Sequence, residues 1–129
     1  MKMKRPHYVP LVSQTVELLG EVKALIDGKD LIFPSQKNIR KAMSENTLLY
    51  ALYRMGYHSR TTVHGFRSAA STVLNDSRKW HPDVIERQLA HVEGNKVRAA
   101  YNHAEYLDER REMMQWWADK LDEFKESST

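Results

Sequence analysis

Three stretches of the chain carry side chains that could do chemistry together. They are H-G-F-R at 64–67, A-H-V-E-G-N at 90–95 and R-A-A-Y-N-H at 98–103. The first puts an imidazole, His64, and a guanidinium, Arg67, one helical turn apart. The second adds an imidazole at His91, and the third a phenol at Tyr101, ten residues further on. Neutral hydrolases have little use for such a mix. Two histidines, an arginine and a tyrosine suit a phosphodiester attacked by a phenolic oxygen. Arginine offers a planar fork matched to phosphate oxygens. A phenol of pKa about 10 needs a positive pocket to act as a nucleophile at neutral pH.

Each residue also has a plainer reading. A lone H-x-x-R is a surface arginine beside a satisfied histidine, and a lone His91 caps a helix. A lone Tyr101 at helical spacing packs in a core or an interface. Six histidines invite a zinc reading, with His81, His91 and His103 as candidates. However, no pair stands at i, i+4 with a carboxylate in the usual arrangement, and with no cysteine there is no thiolate. No metal site is expected. The chain also lacks a glycine-rich phosphate loop, a G-x-S-x-G elbow and a paired-carboxylate signature.

The elements that must position these groups are mostly helical. Val16, Leu18, Leu19, Val22, Leu25 and Ile26 follow a 3.6-residue period, which predicts a helix from Ser13 to Ile26, closed by Gly28. A second helix is expected from Ser44, with Leu48, Leu49, Leu52 and Tyr53 inward, ending at Met55-Gly56. A third, capped by a hydroxyl of Thr61 or Thr62, carries His64, Phe66, Arg67, Ala70, Val73 and Leu74. A fourth begins at Asp83 after His81-Pro82 and ends at His91. A short fifth holds Val97, Ala100 and Tyr101. The last spans Leu107 to Phe124, and Trp116 and Trp117 anchor it. Pro6 and Pro10 forbid a helix around Tyr8-Val9, which predicts a short edge strand whose partner lies upstream of residue 1. The expected fold is mainly α with a small N-terminal β element.

Composition bounds the partners. The 129 residues, 41% hydrophobic and 29% charged, fit one globular domain. Residues 1–104 hold 16 Lys/Arg and 9 Asp/Glu, a balance of +7, and residues 105–129 hold 4 and 8, a balance of −4. A basic body with an acidic tail suits a polyanion-binding surface plus a segment that docks on protein. No apolar run approaches the roughly 18 residues of a membrane span, and no signal-peptide region opens the chain, so a cytoplasmic protein is expected.

In order, K-x-K-R-P-H-x-V-P-L at 2–11, H-G-F-R at 64–67, I-E-R-Q-L-A-H at 85–91 and V-R-A-A-Y-N-H at 97–103 resemble the catalytic domain of the tyrosine recombinases. The similarity is to the phage-type integrases of prophages and genomic islands, and L-D-E-R-R-E-M-M-Q-W-W-A-D at 107–119 extends it. The resemblance implies that Tyr101 attacks the scissile phosphate to leave a 3′-phosphotyrosyl link. It implies that Arg67 binds the non-bridging oxygens, that His64 is a hydrogen-bonding and proton-transfer partner, that His91 takes the later His/Trp position and holds a phosphate oxygen, and that Lys2 protonates the leaving 5′-oxygen. Lys4, Arg5, Lys96 and Arg98 would contact the duplex. No cofactor is needed, because the covalent link conserves the bond energy. The partners would be double-stranded attachment-site DNA and further protomers, a tetramer for a full-length protein. The family's first catalytic arginine and its N-terminal DNA-binding domain are expected upstream of Lys2. The chain therefore reads as an N-terminally truncated part of a catalytic domain over 1–129, weak or inactive by itself. The alternative is a non-catalytic remnant that binds DNA without cleaving it. A helix-turn-helix regulator imitated by residues 44–75 leaves the ordered set unexplained. The acidic last helix is expected to dock on its own chain.

Overall fold

The computed structural model describes residues 6–26, 30–91 and 105–128. Among them run α1 (Ser13–Ile26), α2 (Thr47–Arg54), α3 (Val63–Ser77), α4 (Pro82–Gln88) and α5 (Leu107–Ser127). The expected helix at Val97, Ala100 and Tyr101 and the closing Gly28 lie outside the described residues. Two compact units divide the chain, Met1–Val12 with Ala70–Thr129 and Ser13–Ala69.

In the first unit, Leu74 from α3, Val84 and Ile85 from α4, Leu89 just beyond it and Met113 from α5 form a buried cluster. Burying each such side chain contributes about 1.5–3 kcal/mol. The sequence starts α4 with three agreeing signals. His81 is the N-cap and its Nδ1 accepts from the Asp83 amide at 3.1 Å, Pro82 occupies the first turn, and Asp83 places a negative charge there. His81 is thus committed to the helix end. Along α5, Met113, Met114 and Trp117 repeat at helical spacing toward the cluster, with Trp80 and Trp116 packed beside them. The Trp80 and Trp116 rings meet edge to face at 6.5 Å. The tryptophan pair anchors α5 as expected, while Leu121 and Phe124 near its end are exposed.

The end of α4 sets the position of His91. The Ala90 amide donates to the Arg87 carbonyl and the His91 amide to the Glu86 carbonyl, with Ala90 left-handed at φ 53°. This is the Schellman arrangement, and it ends α4 at Gln88 rather than at His91. The same pattern closes α2, where Gly56 takes the left-handed position at φ 89°. At Ala90 a Cβ must be accommodated, at about 1–2 kcal/mol. Ala90→Gly is therefore expected to stabilise the chain. Glycine's larger unfolded-state entropy offsets part of the relief, leaving a net gain of about 0.5–1 kcal/mol, read as a Tm higher by a few degrees.

In the second unit, α2 buries Leu52 and packs Tyr53 against His58, ring centroids 4.3 Å apart. No residue of α1 is buried, and Leu25 is 86% exposed, so its helical period is present without the burial it predicts. The short run at 31–34 makes an antiparallel bridge between Pro34 and Ala42, with the Ser35 amide donating to the Lys41 carbonyl at 2.7 Å.

The expected N-terminal β element is not supported, because the described residues contain no strand and residues 6–12 are irregular. The prolines that excluded a helix also remove two ladder donors. The Tyr8 carbonyl accepts from a side chain, the Arg110 guanidinium.

Candidate functional site

His64 and Arg67 lie in the first turns of α3, and the local sequence explains why the helix starts there. Thr62 is the cap, its Oγ1 accepting from the Gly65 amide at 3.0 Å. Glycine at that third helical position leaves room for a second hydroxyl, since a Cβ on Gly65 would stand 2.9 Å from Thr61 Oγ1. His64 is exposed and Arg67 half-buried. Three residues apart, they share a helix face next to the amides of the first turn, where the helix dipole favours an anion. Thr62→Ala is expected to cost about 1 kcal/mol by releasing that amide, and to lower Tm without changing the fold seen by circular dichroism.

His91 belongs to the other unit. Its Nδ1 lies 2.6 Å from Glu86 Oε2, and both side chains are partly exposed. An ionised carboxylate only accepts, so Nδ1 carries the proton in this pair. That fixes the ring and leaves Nε2 for another ligand, as an acceptor on the neutral ring or a donor on the imidazolium.

Beside this pair lies a polar cluster that the sequence reading did not single out. Arg87 reaches Glu105 with two nitrogens, Nε to Oε2 at 3.3 Å and Nη2 to Oε1. Arg110, fully buried, donates from Nε to Gln88 Oε1 at 2.9 Å, from Nη1 to the Glu105 carbonyl at 3.1 Å and from Nη2 to the Tyr8 carbonyl. Burial, and then the nearby Arg87, hold the Arg110 guanidinium below the ordinary arginine pKa, while Glu105 acts in the opposite direction.

The structure therefore places His64 with Arg67 on α3, and His91 with Glu86 at the end of α4. Tyr101, Lys2, Lys4, Arg5, Lys96 and Arg98 lie outside the described residues. Among the described residues no helix is long and apolar enough to cross a membrane. None of their His, Asp or Glu side chains gather in threes that could hold a metal ion.

Known proteins match nearly the whole of this chain. The integrase of Enterobacteria phage P4 is 54% identical over 125 residues, covering 95% of this chain and 28% of its own length. The prophage integrase IntS of Escherichia coli K12 and the integrase of Shigella phage Sf6 are each 44% identical over 124 residues, covering 95% of this chain and 32% of their own. The chain thus spans under a third of the length of these relatives. No solved structure matches it. The model of the phage integrase family matches residues 1–107, which take in the histidine–arginine turn of α3, His91 and Tyr101. Taken with those relatives, that match makes the chain a member of the phage integrase family, a part of a tyrosine-recombinase domain.

Proposed function

We propose that the chain is part of the catalytic domain of a site-specific DNA integrase that cuts and rejoins strands through Tyr101. The Tyr101 hydroxyl gives up its proton, with His64 as the proton-transfer partner, as its oxygen attacks the scissile phosphorus and the bond to the 5′-oxygen breaks. The strand is left joined to Tyr101 by a 3′-phosphotyrosyl link, and Lys2 gives its proton to the departing 5′-oxygen. Attack by a 5′-hydroxyl reverses the step and rejoins DNA. Arg67 takes the non-bridging oxygens as charge builds in the transition state, with His64 one helical turn away as a hydrogen-bonding partner. His91, oriented by Glu86, offers Nε2 to a phosphate oxygen. Lys4, Arg5, Lys96 and Arg98 hold the duplex through its phosphates, and further protomers, four in a full-length assembly, bring two sites together. The cytoplasm, where such DNA lies, is the expected compartment.

The observation that supports this most is the start of α3, where an imidazole and a guanidinium three residues apart share a helix face beside the amides of a capped first turn. The second reading is a chain that binds duplex DNA without cutting it, in keeping with the balance of +7 over residues 1–104. Covalent trapping tests both. The chain is incubated with supercoiled plasmid at low salt and quenched in denaturing detergent. After nuclease and trypsin digestion, the nucleotide-bearing peptide is sequenced. A nucleotide on Tyr101 is the expected result. Retarded DNA with no adduct would establish the second reading for this chain.

A further inference from the structure

Three consecutive residues of α4 each hold a different part of the chain. Glu86 pairs with His91, Arg87 with Glu105, and Gln88 with Arg110. His91 is the last residue before the stretch 92–104 and Glu105 the first after it, so α4 grips the chain at both ends of the stretch that contains Tyr101. At the far end the grip is double. Arg87 takes the Glu105 carboxylate as a fork, and Arg110 takes the Glu105 main-chain carbonyl at 3.1 Å. Gln88 is tied in from both sides, its Oε1 to Arg110 and its carbonyl to His7 Nε2 at 3.2 Å.

We propose that the Arg87–Glu105 clamp is a positioning device for the nucleophile, fixing the main chain four residues after Tyr101. The proposal rests on the reading of Tyr101 as the attacking residue. In this pair the arginine side chain is 21% exposed and the glutamate 31%, so as a stabilising contact it is modest. Its geometry is more demanding than its energy, since two parallel N–H···O bonds set direction as well as distance. A phenol must meet phosphorus in line, and a misplacement of about 1 Å can cost about a hundredfold in rate. Arg87 and Glu105 need not touch DNA to matter.

The test is a charge swap in the full chain. Arg87→Glu and Glu105→Arg, singly and together, are compared with the wild type on a nicked duplex that traps the adduct, at saturating DNA. Each single variant is expected to slow adduct formation about tenfold or more, with DNA affinity kept within about twofold. The double variant, which restores the pair in reverse, should recover to within about threefold of wild type. Single variants that react at the wild-type rate, or a double variant no faster than the singles, would overturn the clamp. A second measurement needs no chemistry. Trypsin cuts after Lys96 and Arg98 should quicken about fivefold or more in the single variants, relative to cuts at Lys120 and Lys125, and slow again in the double. If the wild type forms no adduct, the reading of Tyr101 fails for this chain, and the trypsin pattern alone decides the clamp. Equal cutting in all four proteins would then sink it.

Discussion

Arg110→Ala is expected to destabilise the chain by about 3–5 kcal/mol, a large share of the 5–15 kcal/mol typical of a folded domain. The reason lies in what its guanidinium serves. Gln88 Oε1, the Glu105 carbonyl and the Tyr8 carbonyl all accept from it, and they come from three separate parts of the chain. Alanine would strand these acceptors in a region where Arg110 itself has no exposed surface, and would leave a cavity beside Met113. Arg110→Lys keeps a charge and most of the stem but cannot point at three diverging acceptors, so it should fall between wild type and alanine. The neighbouring arginine is the control. Arg111 pairs with Asp108 at 2.8 Å on a surface where the two side chains are 62% and 95% exposed, and Arg111→Ala should change stability by about 0.5 kcal/mol or less. Urea titration followed by tryptophan fluorescence reads all three, since Trp80, Trp116 and Trp117 border the same core. Equal midpoints for Arg110→Ala and Arg111→Ala would show that the buried fork holds nothing together.

The contrast between these two arginines shows what a sequence makes legible. Helices were readable wherever an apolar period coincided with a cap. Thr62 starts α3, the His81-Pro82-Asp83 run starts α4, and Gly56 ends α2, all through local chemistry written in adjacent residues. Arg110 was hidden inside D-E-R-R-E, which reads as solvated charge. The signal was nonetheless there, because Arg110 sits three, four and seven residues before Met113, Met114 and Trp117, on the apolar stripe of α5. A charge at a stripe position asks for partners. Those partners are five, 22 and 102 residues away in sequence, two of them main-chain carbonyls, and neither periodicity nor motif spacing can announce them. The supposed strand at Tyr8-Val9 failed for a related reason, since the prolines ruled out a helix but could not reveal that a side chain from α5 takes the Tyr8 carbonyl. For the site, order and spacing named His64, Arg67, His91 and Tyr101. The pairing of His91 with Glu86 depended on a left-handed Ala90, where glycine would be the usual choice.

Tyr101→Phe is expected to remove the covalent adduct, a fall of about ten-thousandfold or more, because phenylalanine keeps the ring and loses only the attacking oxygen. DNA affinity should be unchanged within about twofold, since phosphate contacts by lysine and arginine dominate binding. Arg67→Ala should instead slow adduct formation by about a hundred- to a thousandfold, the usual scale for one donor to a developing oxyanion, and leave Tyr101 as the site of whatever adduct remains. The two variants separate the roles of bond-maker and charge-stabiliser. They also separate the readings of the chain. In a regulator or a DNA-binding remnant, the Tyr101 hydroxyl has no task, and Tyr101→Phe would match wild type in every assay. An integrase cannot tolerate it. The measurement is a time course of adduct on a nicked duplex for the three proteins, with fluorescence anisotropy giving the affinity of each. A wild-type adduct that survives in Tyr101→Phe would move the nucleophile elsewhere, with Tyr106 the nearest phenol in sequence and the first to substitute next.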